Sequence, residues 1–250
     1  MKTQWDYTDL AQAYLKRPDY ADAAIDGMLE RGRLTRGAAA CDVGAGVAHL
    51  TLKLLERGLR VVPVEPNDEM RRLGAERTRA VYPETLWVEG TGEQTGQRPG
   101  AFDIVTFGSS FNVTDRPRAL AEAVRILRPR GWFACMYNHR ELDDPLQARI
   151  EAAIKSHLPE YGYGTRREDQ APVIELSGLF GKVQTLEARI IHRQSVTDCV
   201  EAWRSHATLQ RQAGAQFPRV VESIAAVLDA HGGAEIEIPY MTRVWLAQAL

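Results

Sequence analysis

Apolar and polar positions follow two rhythms along this chain, and the changes of rhythm mark its elements. Short, nearly unbroken apolar runs fall at 38–43, 60–65, 85–88, 101–107 and 132–137, the form of strands covered on both faces. Between them, apolar residues recur three and four apart. Leu50, Leu54 and Leu55 share one face of a helix over 47–57. A second helix runs to about Ala80 with Asn67 as its N-cap. Leu120, Ala123, Val124 and Leu127 form the stripe of a third over 117–127, and Arg128, Pro129, Arg130 and Gly131 read as a turn. Buried strands alternating with amphipathic helices predict an α/β fold with a doubly wound, mostly parallel sheet.

The flanks are less regular. Residues 1–35 read as two short helices. Ala11, Tyr14 and Leu15 share a face, Pro18 breaks the pattern, and 20–34 resumes it. Beyond 140 come a helix over 145–158, an aromatic, Gly-rich loop at 159–167 and a strand over 182–192. Residues 197–231 are helical, with interruptions near Gly214 and Pro218. Ile236, Ile238 and Tyr240 then alternate in a last strand that continues through Val244 and Leu246, where Pro239 predicts a bulge or an edge position. That makes seven strands. With no repeat, low-complexity segment or linker, the expectation is one domain over 1–250, with a core of about 36–140, 182–192 and 235–250 and cap elements at 1–35, 141–181 and 193–234.

Composition narrows the partners. The 250 residues are 44% hydrophobic and 26% charged, enough for a sizeable core. A net charge of -2 carries no polybasic signature, so nucleic acid is not the expected partner. The doublets Arg71-Arg72 and Arg166-Arg167 look like ordinary exposed helix and loop positions. Cys41, Cys135 and Cys199 lack metal-ligand spacing, and the first two fall in buried strands; free, inert thiols in a reducing cytosol are expected, and no metal. No apolar signal segment opens the chain and no run reaches ~18 apolar residues, so a cytoplasmic protein without membrane contact is expected.

The chemistry concentrates at 38–50, AAACDVGAGVAHL. A strand feeding Gly44-Ala45-Gly46 and then a helix is the form of a loop that holds a ligand against its backbone. The next strand ends in Glu65, 21 residues after Gly44, the separation at which an acidic side chain accepts bonds from ribose hydroxyls in nucleotide-binding βαβ units. A dinucleotide fingerprint wants a third small residue where this chain has His49.

Asp42-Val43-Gly44-Ala45-Gly46 resembles motif I of the class I S-adenosylmethionine (SAM)-dependent methyltransferases. VVPVEPNDEM, VEGTGEQ, FDIVTFGSSFNVTDRPRALAEAVRILRPRGWF and MYNHR follow in the order of that family, and the whole chain is similar to its small-molecule branch, which includes trans-aconitate methyltransferase-like proteins. The resemblance implies a Rossmann-like, seven-stranded sheet with an antiparallel last strand under a helical cap. It implies SAM as cofactor and S-adenosylhomocysteine (SAH) as product. Gly44, Ala45 and Gly46 would lie against methionine and ribose, Glu65 on the ribose hydroxyls, and Pro66 and Met70 on the adenine. Thr91, beside Gly92 and Glu93, would stand where the family often has an Asp for the adenine amino group. Phe107 and Ser109 would border the methionine end; Tyr14 and Arg17 would fold over it, with Arg17 on the carboxylate.

In such a sheet the acceptor lies beyond the carboxyl ends of the strands. That places Phe111, Asn112, Tyr137 and Asn138 near it, with Tyr161 and Tyr163 from the loop. His139 and His206 are the candidate bases. The expected activity is methyl transfer from SAM to O or N of a small molecule. A SAM- or SAH-binding protein without catalysis is the alternative, and a nicotinamide-dependent oxidoreductase is disfavoured by His49. The acceptor's identity and the oligomeric state, a homodimer among the options, stay open.

Overall fold

The computed structural model describes residues 8–250; the start of the first expected helix, 1–7, lies outside the described residues. The sheet comprises β1 (Ala39–Val43), β2 (Arg60–Val64), β3 (Phe102–Gly108), β4 (Leu127–Arg140), β5 (Gln184–Ser195) and β6 (Glu235–Gln248), in the order β2-β1-β3-β4-β6-β5. β1 pairs in parallel with β2 and β3, and β3 with β4. β6 runs antiparallel between β4 and β5. The chain leaves β1 toward β2 and returns on the other side to β3, so the strand order reverses at β1, and a crevice opens there beyond the strands' carboxyl ends.

Among the described residues the sheet has six strands, where seven were expected. The expected strand at 85–88 shrinks to one parallel bridge between Val64 and Val88. Its two hydrogen bonds, Val88 N–H to the Pro63 carbonyl and the Glu65 N–H to the Val88 carbonyl, are both 3.0 Å. On either side nothing extends the ladder: Leu86 is exposed, and Trp87 sends its indole N–H to the Thr78 hydroxyl instead. The turn expected at 128–131 is drawn into β4, with Arg130 at φ +63° where the strand kinks. β6 is an inner strand, not an edge. Pro239 fits because its β4 neighbours end at the pair Arg140–Tyr240, one residue short of it.

Alternate residues of the strands feed two cores. On one face Cys41, Val43, Val105, Phe133 and Trp245 pack against Leu120, Ala123 and Ile126 of α5 (Arg116–Ile126). Across the sheet, Ala40, Ile104, Ala134 and Val244 meet Ile25 and Met28 of α2 (Asp22–Arg31) and Leu50 and Leu54 of α3 (His49–Glu56). Phe133 holds the first core together: its ring lies 5.6, 5.3 and 5.3 Å from those of Phe107, Phe111 and Phe180. Phe133→Ala should destabilise the fold by about 3–5 kcal/mol, read as the shift in a urea unfolding midpoint. A change below about 1 kcal/mol would mean the three neighbouring rings close the gap.

A third core lies beyond the sheet. Ile150 and Ile154 of α6 (Pro145–His157), Trp203 of α8 (Val196–Arg204), Leu209 of α9 (Ala207–Ala213) and Ile224 of α10 (Phe217–Asp229) pack with Ile236 and Ile238 at the start of β6. Asp144, Ser195 and His206 cap α6, α8 and α9 with side-chain acceptors. Pro218 does not interrupt a helix; it sits in the first turn of α10, where its missing N–H costs nothing. The interruption expected near Gly214 is present as the 3-10 turn Gly214–Gln216, and a further break falls at Ser205-His206. All three cysteines are buried and free. Among the described residues no helix is long and apolar enough to cross a membrane, and no group of three or more His, Cys, Asp or Glu is placed to hold a metal.

Candidate functional site

At the crevice, β1 hands over to a loop built for close approach. Gly44 and Gly46 both adopt left-handed φ, at +66° and +56°. The N–H groups of Gly44 and Ala45 donate to the Val64 carbonyl at 2.8 and 3.1 Å, which locks the loop to β2. Glu65 completes the tie: its carboxylate accepts the Gly46 N–H and the Asn67 N–H, both at 2.9 Å. Burial pushes Glu65 up to about 7, although the two amide bonds work the other way. Behind the loop, buried Asp42 accepts the hydroxyls of Thr51 (2.6 Å) and Thr106 (3.0 Å), joining β1 to α3 and β3, and burial lifts it to about 6. No side chain caps the start of α3, whose Ala48 sits at φ +76°.

The N-terminal segment closes one side. Ala11 packs on Val47 and on Met70 and Leu73 of α4 (Asp68–Arg79), with Tyr14 and Leu15 beside them. His49 clamps the segment: one ring nitrogen meets the Asp19 carboxylate at 2.7 Å and the other the Tyr14 carbonyl at 2.9 Å. Asn138, at the end of β4, donates to the Asp19 carbonyl at 2.9 Å and accepts the Thr242 hydroxyl. His49→Ala should speed amide hydrogen exchange over 11–20 by about tenfold or more, since a charge-assisted bond is worth about 1.5–3 kcal/mol, and leave the sheet's protection unchanged. Equal exchange in the two proteins would show that packing alone holds the segment.

The far wall is cationic. Arg140 at the end of β4, Arg166 and Arg167 of the 3-10 turn Gly164–Arg167, and Arg17 all line the same cleft. Arg17 donates to the Ser205 hydroxyl (3.0 Å) and carbonyl (2.7 Å) and lies 3.7 Å over the Tyr14 ring. Arg166 donates to the Asn138 carbonyl (3.0 Å), Arg167 to the Arg140 carbonyl (2.7 Å), and Arg140 stacks 3.9 Å over Trp203. His139 must donate Nε2–H to the Arg166 carbonyl at 3.0 Å, and burial, then the charges of Arg166 and Arg167, pull it down to about 4. His206 accepts the Leu209 N–H on Nδ1 (3.2 Å), so its proton sits on Nε2; burial and the neighbouring arginines hold it well below its ordinary value.

The cleft holds about 1600 Å³ of empty space, the open solvent at its mouth included. It brings together every residue that the sequence assigned to the cofactor. Tyr14, Arg17 and Gly44 to Gly46 line it, as do Glu65, Pro66 and Met70; Thr91, Gly92 and Glu93 enter from the loop after the bridge, and Phe107 and Ser109 from the end of β3. Asn138, His139, Tyr163 and His206 line it too. Four residues expected around the acceptor do not. Phe111 is fully buried between Phe107 and Phe133. Tyr137 is fully buried at 6.0 Å from Trp245, with the His139 ring stacked on it. Asn112 is not among the lining residues, and Tyr161 packs edge-on against Tyr163 at 5.2 Å. Both Phe111, in the 3-10 turn Phe111–Val113 after β3, and Tyr137, by the strand period of β4, belong to the core packed on α5.

The sequence reading missed Tyr20, Tyr240 and the arginines at 140, 166 and 167. Tyr20 lines the cleft and donates its hydroxyl to Ser109 Oγ at 3.0 Å, with burial lifting it to about 12. Ser109 itself sits at φ +57°, a strained conformation kept at the cleft's edge. The doublet Arg166-Arg167 was visible in the sequence but looked like Arg71-Arg72. Those two do lie on a helix face, paired with Asp68, Glu69 and Glu76.

Residues 41–135 match the sequence family described as a methyltransferase domain. An uncharacterized methyltransferase of Mycobacterium tuberculosis is 35% identical over 125 residues, 50% of this chain and 48% of that protein. The chain thus spans about half the length of the curated relatives it matches. Among solved structures, a putative methyltransferase from an antibiotic biosynthesis pathway of Anabaena variabilis superposes with a TM-score of 0.60 at 19% identity, over 91% of this chain and 97% of that one. A Haemonchus contortus phosphoethanolamine N-methyltransferase 2, in complex with phosphomonomethylethanolamine and SAH, superposes with a TM-score of 0.56 at 15% identity, over 97% of this chain and 57% of that one. At these identities the two structures show the fold. Residues 41–135 thus match a methyltransferase domain, and the chain as a whole has the α/β Rossmann-like fold of these methyltransferase structures.

Proposed function

We propose that this protein, as one domain, transfers a methyl group from SAM to an oxygen or nitrogen atom of a small-molecule acceptor. The observation that carries the reading is the continuity of one cleft from the Gly44–Gly46 loop and Glu65 to the wall formed by the ends of β4 and the 3-10 turn. The residues present fit the cofactor. A Cβ on Gly46 would meet no protein atom within 4 Å, so the main chain there faces open space, and Glu65 has lone pairs left beyond its two amide bonds. Gly44 to Gly46, Glu65, Pro66 and Met70 would hold the nucleoside, and Tyr14, Arg17 and Ser109 the amino-acid end.

The bound cofactor supplies an electrophilic methyl on a sulfonium. The protein's share is then alignment and exclusion of water. The His49 and Asn138 ties hold the N-terminal segment over the cleft, and Ala202 of α8, His206 and Arg167 wall its far side. His139 and His206 are both neutral at pH 7, with their ring protons fixed by their partners, and both are weak bases. They orient and donate; the acceptor atom brings its own lone pair. The same weakness favours the second reading, a SAM- or SAH-binding protein without catalysis.

Calorimetric titration with SAM, SAH and NAD, followed by a methyl-acceptor screen with labelled SAM, tests the proposal. Micromolar binding of SAM and SAH with label transfer to a small molecule is the expected result. Binding of SAH without transfer to any acceptor would favour the non-catalytic reading, and binding of NAD alone would overturn both.

A further inference from the structure

The far wall gathers more positive charge than the cofactor can use. Arg17, Arg140, Arg166 and Arg167 line one cleft, and among the described residues none of them forms an ion pair within 4 Å. Their bonds run to carbonyls, to one hydroxyl and to ring faces, which leave the charge in place. The Nε atoms of Arg140 and Arg166 are buried and donate to nothing. The carboxylates that share the cleft are already engaged: Asp42 by two threonines, Glu65 by two amides, and Glu93 by the Asp115 N–H at 2.7 Å. Glu151, behind Arg167, is held by Lys155 (3.1 Å) and the Tyr163 hydroxyl (2.5 Å).

A half-buried guanidinium without a counter-ion is costly, because its charge is partly desolvated and nothing offsets it. Elsewhere the chain pairs its arginines readily: Arg57 meets Asp22 and Asp26, and Arg125 meets Glu122. The cleft is therefore where pairing is withheld. Arg17 suffices for one amino-acid carboxylate, and a sulfonium would add a further positive charge beside the other three. Planar guanidinium forks match carboxylate and phosphate oxygens in bidentate geometry.

We infer that Arg140, Arg166 and Arg167 form a binding site for a small organic anion, carrying carboxylate or phosphate, at the acceptor end of the cleft. This rests on the methyltransferase reading only in calling that end the acceptor's; the anion site itself does not need the cofactor. Such an anion offsets the charge of the three guanidiniums, and it places a negatively charged molecule where two weakly basic histidines would serve a neutral amine or alcohol poorly. Arg166 stays charged throughout, although burial and the charge of Arg17 pull it below its usual range.

The test is calorimetric titration of the full chain with citrate, with inorganic phosphate and with ethanolamine as the cationic counterpart, each repeated on Arg166→Gln, Arg167→Gln and the surface control Arg189→Gln. Expected is saturable binding of citrate or phosphate, weakened about tenfold or more in the first two variants and unchanged in the control. The stronger of the two anions then tells carboxylate from phosphate. No saturable anion binding, equal binding in all variants, or a preference for ethanolamine would overturn the inference. Melting temperatures identify a variant that fails to fold, and two separate substitutions guard against that outcome. SAH titrated into the same proteins separates the two readings: SAH binding without anion binding sinks this inference alone, and anion binding without SAH binding sinks the cofactor assignment alone.

Discussion

Glu65→Ala is expected to weaken SAH binding by about 10²–10⁴-fold, the largest single effect in the cleft. Two charge-assisted bonds to ribose hydroxyls are worth about 1.5–3 kcal/mol each. Glu65 also anchors the Gly46 and Asn67 N–H groups that shape the loop. Glu65→Gln removes the charge but keeps the size, and it turns an N–H₂ toward one of those two donors, so it too should bind poorly. The pH dependence separates charge from shape. Burial raises Glu65 from 4.5 to about 7, so the folded protein takes up a proton there more readily than the unfolded chain. Glu65 therefore contributes stability at low pH, and that contribution is lost as pH rises from about 4.5 through about 7. Ligand binding runs oppositely, because the ionised carboxylate is the better acceptor. Wild-type affinity for SAH should fall as pH drops from 8 to 6, by up to about tenfold per unit below 7, and Glu65→Gln should show a flatter profile. Asp42, raised to about 6, shares the cleft, but its carboxylate is already engaged by the hydroxyls of Thr51 and Thr106. A flat wild-type profile would mean that Glu65 does not touch the ligand.

The parts of this site legible in the sequence are those made by contiguous residues. Gly44-Ala45-Gly46 and Glu65 are each fixed by the end of a strand, so spacing alone places them on one crevice. The parallel pairing of β1 to β4 follows the same logic, because strands joined through helices return in the same direction. What failed was whatever depended on how much of an element is covered. Residues 85–88 have strand composition, yet only Val88 has a partner on both of its backbone groups. Phe111, in the 3-10 turn after β3, and Tyr137, on β4, sit near the acceptor in sequence but turn into the core that packs against α5. The cationic wall was invisible for a different reason. Arg17, Arg140 and Arg166 come from three segments far apart in sequence, and whether an arginine has an ion partner is not written in its neighbours.

Gly46 tests whether the loop is shaped for the fold or for a ligand, and Gly44 beside it is the control. Both have left-handed φ, so an Ala at either should cost about 1–2 kcal/mol in backbone strain. Beyond that they differ. A Cβ at 44 would lie 2.5 Å from Ser110 Cβ, and Ser110 cannot step aside cheaply because its hydroxyl donates to the Val43 carbonyl at 2.6 Å. Overpacking adds about 1–3 kcal/mol, so Gly44→Ala should lose about 2–5 kcal/mol of stability and bind SAH poorly through a displaced loop. A Cβ at 46 meets no protein atom within 4 Å. Gly46→Ala should therefore lose only the strain and fold cooperatively, yet bind SAH at least about tenfold more weakly, since even a misfit of about 1.4 kcal/mol has that effect. Urea unfolding and SAH titration on the two variants decide the matter. Near-normal stability with lost affinity in Gly46→Ala puts a ligand in that space. Undiminished affinity would show that the space is solvent, and that the bound molecule touches the chain elsewhere.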